Sequence, residues 1–147
     1  MGVRNRCRKA LLQARFAAEV NGRSLAANIE SVRELLEDPG LGLGAPLDQE
    51  DWNWISDLAT SVDDNIQDIR SRIEGSLENW SMERLSMVIR LIMEQALGEM
   101  LYQEPPTPPA VAIDQAVELA RMFETDEAAG LVNGVLDSIT GSSGKGR

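Results

Sequence analysis

The sequence predicts an all-α fold of about six or seven helices. Apolar residues recur at intervals of three and four along nearly every long segment, which is the spacing of one face of a helix. Short stretches rich in glycine and proline separate these segments. The chain has 147 residues, of which 43% are apolar, so it is long enough to form one domain with a hydrophobic core.

The first predicted helix covers residues 3–20, and Asn21–Gly22 ends it with a left-handed cap. Its apolar face consists of Cys7, Ala10, Leu11, Ala14 and Ala18. Because Cys7 lies on this face, we expect it to be a small buried side chain. A second helix is predicted from Ser24 to Glu37, and the glycines and prolines of residues 38–46 predict a loop after it.

The clearest periodicity runs from Trp52 to Leu77, where it predicts one unbroken helix. Asp48 is the predicted N-cap, and Leu47 is expected to pack on Trp52 across the start of the helix. The acidic side chains on the opposite face are expected to be solvated, because no pocket or metal is implied there.

The next helix is predicted over residues 79–102, with Ser81 as its N-cap and Trp80 packed against Leu85. Its apolar band is broad, as in a central helix that contacts neighbours on more than one side.

A proline-rich segment, residues 104–109, then interrupts the helical pattern. It is predicted to be a linker into a helix over residues 110–123, although its two P-x-x-P spacings also fit a polyproline ligand. Thr125 is the predicted N-cap of the last helix, residues 126–139. We therefore expect one domain over residues 1–140 and a flexible Gly/Ser tail at 141–147.

The composition excludes most kinds of enzymatic site. The chain has no histidine and one cysteine, which excludes His-based catalysis, an intrachain disulfide and a multi-Cys zinc site. We expect no catalytic residue, metal or cofactor. No apolar run approaches the length of a membrane span, and the N-terminus is too polar for a signal peptide, so the expected location is cytoplasmic.

Charge is distributed unevenly along the chain. The formal net charge is −10, yet the first 23 residues hold six of the 14 Lys and Arg and only one of the 24 acids. Arg4, Arg6, Arg8 and Lys9 form the densest part of this basic segment. On a helical wheel Arg4, Arg8 and Arg15 fall within about 40° of one another, beside the apolar stripe. Such a segment indicates either a nucleic-acid or partner-binding arm or a solubilising helix end.

Three stretches, in this order, resemble the NusB family of transcription antitermination factors. They are "RKALLQARFAAEVNG" at 8–22, "WSMERLSMVIRLI" at 80–92, and "VAIDQAVELARMF" with "VNGVLD" between Val111 and Asp137. The resemblance implies two packed three-helix subdomains with an extra helix. It also implies binding of boxA, a single-stranded RNA element of ribosomal RNA leaders, with the ribosomal protein NusE, on the RNA polymerase elongation complex.

The resemblance places the basic segment in the family's arginine-rich, RNA-binding first helix. The expected RNA-binding residues are Arg4, Arg6, Arg8, Lys9, Gln13, Leu131 and Asn133. The expected partner-facing residues are Phe16, Ile89 and Arg90. Four to six phosphate contacts to a single strand predict a log–log salt slope of roughly −3 to −4.

Several positions depart from the family pattern, and an alternative function follows from them. Phe16 replaces a Tyr, Arg15 a Leu and Glu94 an Arg, and Ile89 stands where the family can have an acidic residue. Near the last helix a hydroxyl, a cation and an aromatic residue are replaced by Ala128, Gly130 and Leu131. The alternative is therefore a diverged acidic adapter, or a homodimer, with weak RNA binding.

Gly134 lies inside the last predicted helix, where glycine is less stable than alanine. Its presence there implies either a close helix–helix approach or access of its backbone to RNA or a partner.

Overall fold

The computed structural model describes residues 2–78 and 81–141, whose secondary structure is seven α-helices and two 3₁₀ turns without a strand. The all-α prediction is confirmed. The helices are α1 (Val3–Asn21), α2 (Leu25–Glu37), α3 (Gln49–Asp64), α4 (Ile66–Gly75), α5 (Met87–Leu101), α6 (Pro109–Phe123) and α7 (Asp126–Thr140). The 3₁₀ turns are Pro39–Leu41 and Met82–Arg84.

The chain divides into two compact units, Met1–Asp57 and Leu58–Arg147. In the first unit α1 packs against α2. In the second unit α5, α6 and α7 pack against one another, and α4 contacts α5 and α7. The buried residues of the first unit include Cys7, Leu11, Ala14, Leu47, Trp52 and Ile55. Those of the second include Ile69, Ile73, Ile92, Leu97, Ile113 and Leu136. The predicted tail beyond Gly141 lies outside the described residues.

The predicted helix caps are confirmed where their signals are local. Gly22 ends α1 with φ 72°, and the Thr125 hydroxyl oxygen accepts a hydrogen bond from the third residue of α7. Ser24, predicted as the first residue of the second helix, is instead the N-cap of α2, and its hydroxyl oxygen accepts from the Ala27 backbone N–H at 3.1 Å. At the start of α3 the Asp51 backbone N–H donates to Asp48 Oδ1 at 2.9 Å, and the Asp48 N–H donates to Asp51 Oδ2 at 3.0 Å. This reciprocal pair satisfies two backbone donors that a helix start leaves without partners.

The single helix predicted between Trp52 and Leu77 is wrong, because Asn65 separates α3 from α4. The Asn65 side-chain amide donates to the Ser61 carbonyl oxygen at 2.8 Å, which is the acceptor that the Asn65 backbone N–H would use in a continuous helix. That N–H donates instead to the Val62 carbonyl oxygen at 3.2 Å, three residues back. The apolar spacing continues across the break, so periodicity alone could not reveal it.

Ser81 is not the N-cap of α5. The helix begins at Met87, and the Ser86 hydroxyl oxygen accepts a hydrogen bond from the Ile89 backbone N–H at 3.2 Å. Ser81 instead precedes the 3₁₀ turn, to which its side chain contributes no capping hydrogen bond. The predicted contact of Trp80 with Leu85 involves a residue outside the described ones.

The proline-rich linker leads into α6, which begins at Pro109, one residue before the predicted start. Thr107 fastens this linker to α5. Its hydroxyl donates to Glu99 Oε1 at 2.9 Å, and its backbone N–H donates to the Glu99 carbonyl oxygen at 3.0 Å. Glu99 is buried, so these two hydrogen bonds hold the linker against the core of the second unit.

A close helix approach does not explain Gly134. A Cβ built on this residue would have no heavy atom of a neighbouring helix within 4 Å, whereas one built on Gly98 of α5 would lie 2.5 Å from Val62 Cγ2. The close approach expected at Gly134 therefore occurs at Gly98.

We expect the substitution Gly134→Ala to raise the free energy of unfolding by about 0.5–1 kcal/mol, because alanine loses less backbone entropy in a helix. Urea denaturation followed by circular dichroism would measure it. A loss of stability would show that the Gly134 backbone is needed for packing.

Candidate nucleic-acid interface

Helix α1 presents its basic side chains on two nearly opposite sides. At 100° per residue, Arg6, Lys9 and Gln13 lie on a side about 150° away from Arg4 and Arg8. The structure agrees with this wheel, because the first three line one groove, while Arg4 and Arg8 lie over a tryptophan ring. The four cations of the basic segment therefore do not form one patch.

On one side, Arg4 and Arg8 lie over Trp54 of α3. The guanidinium carbon of Arg4 is 4.4 Å from the centroid of the Trp54 ring, and that of Arg8 is 5.7 Å from it. Both distances fall within the range of cation–π attraction. Arg4 is exposed, but Arg8 is only 5% exposed and Arg15 is also buried. Arg8 and Arg15 therefore offer little surface to a phosphate.

On the other side, Arg6, Lys9 and Gln13 form the polar wall of a groove of about 400 Å³ in the first unit. The Arg6 guanidinium donates a hydrogen bond to the Ala45 carbonyl oxygen in the loop before α3. The apolar wall of the groove consists of Ala10, Leu35, Leu36, Leu43 and Leu47. Leu35 is 54% exposed and Leu43 is 47% exposed, so the groove opens onto an apolar surface.

Cys7 lies between the two sides of α1, fully buried as predicted. Burial raises the pKa of its thiol above the ordinary value of 9.0, and the nearby Asp51 carboxylate raises it further. The guanidinium groups of Arg4 and Arg8 offset part of this increase. The thiol is therefore protonated at neutral pH and serves as an apolar side chain.

The raised pKa predicts a stability effect above pH 9. Because the folded protein holds this proton more tightly than the unfolded chain, the stabilisation is present below the ordinary pKa of 9.0 and is lost as pH rises through the higher folded value. We expect wild type to lose more stability between pH 8 and pH 11 than Cys7→Ala does. Urea unfolding across this range would measure the difference, and parallel curves would contradict the prediction.

The predicted residues on α7 face different grooves of the second unit. Leu131 lines a groove of about 360 Å³ together with Ile89. Asn133 lines another groove, of about 540 Å³, together with Asp114 and Arg121. Two residues two positions apart on a helix are separated by about 200°, so Leu131 and Asn133 do not form one binding face.

The predicted partner-facing residues have unequal access to solvent. Phe16 is exposed in the first unit. Ile89, by contrast, is only 2% exposed, because α5 is surrounded by other helices of the second unit. Arg90 donates to Glu94 Oε2 at 3.0 Å. The structure thus contradicts Ile89 as an exposed partner contact and gives Arg90 an internal ion pair.

Trp54 is the aromatic residue that the sequence prediction missed. It lies two positions after the buried Trp52, which places it on the other side of α3 from the apolar stripe, and it is half-buried. A tryptophan at a polar-face position of α3 was the available signal in the sequence.

Two further observations concern the described residues as a whole. Among residues 2–78 and 81–141, no helix has the length and apolar character that crossing a membrane requires. Across the same residues, no group of three or more His, Cys, Asp or Glu side chains could hold a metal ion.

Comparison with known proteins gives a consistent result. The model of the NusB family matches residues 5–141. Transcription antitermination protein NusB of Leifsonia xyli subsp. xyli is 32% identical over 139 residues, which cover 95% of this chain and 92% of the relative. The solved structure of T. maritima NusB is 30% identical, with a TM-score of 0.77, and the match covers 92% of this chain and 89% of that one. A crystal structure of antitermination factors NusB and NusE in complex with dsRNA has a TM-score of 0.81, with 97% and 98% coverage; at 20% identity it supports the fold alone.

Proposed function

Because this chain belongs to the NusB family, whose model matches almost its whole length, we propose that it is a non-catalytic transcription antitermination factor. Its proposed ligand is boxA-type single-stranded RNA of ribosomal RNA leaders, bound together with NusE on the RNA polymerase elongation complex in the cytoplasm. A solved structure with this fold holds NusB and NusE in complex with dsRNA, which motivates NusE and an RNA as the proposed partners; the single-stranded boxA-type ligand is what the family resemblance implies.

The observation that carries this proposal is the row of Arg6, Lys9 and Gln13 along one side of α1. The two cations can meet successive phosphates, and the exposed Gln13 amide offers a donor and an acceptor to a base edge. Arg4 supplies a third accessible cation near the start of the helix. Leu131 and Asn133, which line separate grooves, are proposed as further RNA contacts. The exposed Phe16 is proposed to contact NusE.

The salt dependence of binding should be shallower than the sequence predicts. Arg8 and Arg15 are buried, so Arg4, Arg6 and Lys9 are the accessible cations in the described part of α1. Two phosphate contacts by Arg6 and Lys9, or three if Arg4 also contacts a phosphate, correspond to a log–log slope of roughly −1.4 to −2. Fluorescence anisotropy with a labelled boxA-type oligonucleotide, at several salt concentrations, would measure this slope.

The same assay tests the function. A scrambled RNA and a duplex of the boxA-type sequence serve as comparison ligands, each with and without NusE. We expect selective binding of the single strand that tightens when NusE is added. Equal weak binding to boxA-type and scrambled RNA, with and without NusE, would contradict the proposal.

Lys9→Glu tests the assigned side of α1, and we expect it to weaken binding about tenfold through lost attraction and added repulsion of phosphate. Arg23→Glu is the matched control, because it changes the net charge equally at an exposed residue beyond the end of α1. Equal losses in the two variants would assign the effect to net charge rather than to this surface.

One observation favours a second function, association with proteins or with a second copy of this chain. Leu35 and Leu43 are about half exposed beside the groove, and exposed apolar patches commonly mark protein interfaces. A homodimer through this surface would be weakened by the double substitution Leu35→Ser/Leu43→Ser and not by the exposed control Val111→Ser. Sedimentation equilibrium would decide, and a monomer at all concentrations would exclude the homodimer.

A further inference from the structure

Trp54 and Arg4 form a cation–π pair at the surface of the first unit. The Trp54 ring is half-buried on α3, and the exposed Arg4 places its guanidinium carbon 4.4 Å from the ring centroid. This distance lies within the range of cation–π attraction, so the indole supports the guanidinium at the exposed surface.

A second arginine contacts the same ring. The buried Arg8, one turn further along α1, has its guanidinium carbon 5.7 Å from the Trp54 ring centroid. An arginine held against an indole loses part of the rotamer freedom of an exposed arginine. Arg4 therefore presents a partly preorganised planar cation at an exposed residue.

We propose that Arg4, supported by Trp54, is a stacking platform for one unpaired nucleobase of the bound RNA. This inference rests on the proposed function and assigns the chemistry of one contact within it. Unpaired RNA bases stack on arginine planes as well as on aromatic rings, and a stacked base is bound with little dependence on sequence. A phosphate contact would need only the positive charge of Arg4, whereas stacking also needs its plane.

Trp54 and Arg4 supply a planar surface from different elements, α3 and α1, within the first unit. Trp54 is here a positioning residue, because it acts on the base through Arg4.

Arg4→Lys separates the two roles of Arg4, because lysine keeps the charge and lacks the plane. We expect this variant and Trp54→Leu each to bind the boxA-type RNA about tenfold more weakly than wild type, as for the loss of one stacked base. The log–log salt slope should stay at the wild-type value in both. Trp54→Phe should restore most of the affinity, and Arg23→Lys is the matched control with unchanged binding.

An RNA series with one abasic position at a time identifies the stacked base. Wild type should lose affinity at one position in particular, and Arg4→Lys should lose no further affinity there. Circular dichroism melting confirms that each variant is folded, and Trp54→Phe keeps the test valid if Trp54→Leu does not fold.

The outcomes separate this inference from the proposed function. If wild type binds the RNA and Arg4→Lys binds equally well, Arg4 contacts a phosphate and the platform is refuted while the function stands. A lower salt slope in Trp54→Leu would refute the platform in the same way. If wild type binds none of the RNAs, the proposed function fails and the platform fails with it.

Discussion

Replacing Glu94 by alanine is expected to lower the free energy of unfolding by about 1.5–3 kcal/mol, because the buried carboxylate loses its hydrogen bonds to two partly exposed arginines. The Glu94 side chain is fully buried, and its Oε2 atom accepts hydrogen bonds from Arg70 Nε at 2.9 Å and Arg90 Nη1 at 3.0 Å. The substitution removes both charge-assisted bonds and leaves a cavity in α5. Chemical denaturation of wild type and variant would measure the difference.

The surface pair Arg33–Glu37 provides a matched control for this prediction. It has the same residue types and the same i, i+4 spacing as Arg90–Glu94, with an Nε–Oε2 distance of 3.0 Å, but the Glu37 side chain is 42% exposed. Because solvent screens such a pair, Glu37→Ala should cost only about 0.3–0.5 kcal/mol. Similar small losses in the two variants would show that burial does not strengthen the Glu94 pair.

Gly98→Ala should lower the free energy of unfolding by about 1–3 kcal/mol, although alanine is the better helix former. The added Cβ would lie 2.5 Å from Val62 Cγ2 and 3.3 Å from Leu58 Cδ1. Both neighbours are fully buried, and the β-branched Val62 side chain has few rotamers into which it can move. Overpacking therefore outweighs the gain in helix propensity.

Gly134→Ala is the control for Gly98→Ala, because both residues lie inside helices and only Gly98 has a neighbour in the way. The two substitutions should have opposite signs. Val62→Ala should recover part of the loss when combined with Gly98→Ala, since it removes the methyl group in conflict. A stabilising Gly98→Ala would contradict the close approach of α3 and α5 at this point.

The helices and most of their ends could be predicted because the signals lie within a few residues of one another. Ser24 and Thr125 cap helices through backbone groups three residues away, and Gly22 needs only its own conformation. Asn65 and Ser86 were missed because two local signals competed at each site. At Asn65 a side-chain hydrogen bond overrides a continuous apolar stripe.

The candidate site was less predictable, because its important relations are between distant residues. The sequence shows four cations near one another but not that Arg8 is buried or that Arg4 lies over Trp54. It shows Glu94 as a departure from the family, but Arg70, which pairs with it, lies 24 positions earlier. Nor could the roles of Gly98 and Gly134 be told apart, since only the tertiary structure shows that a Cβ on Gly98 would meet Val62 and that one on Gly134 would meet no neighbouring helix.

The division of the cations between two sides of α1 has a consequence for how basic segments are engineered. Exchanging Asn5 and Arg6 leaves composition and net charge unaltered, but rotates one cation by about 100° around the helix axis. Such an isomer would withdraw Arg6 from the groove that it lines with Lys9. The angular position of each cation around α1 therefore determines which surface it joins. Two basic segments with the same composition and net charge can thus present different binding surfaces.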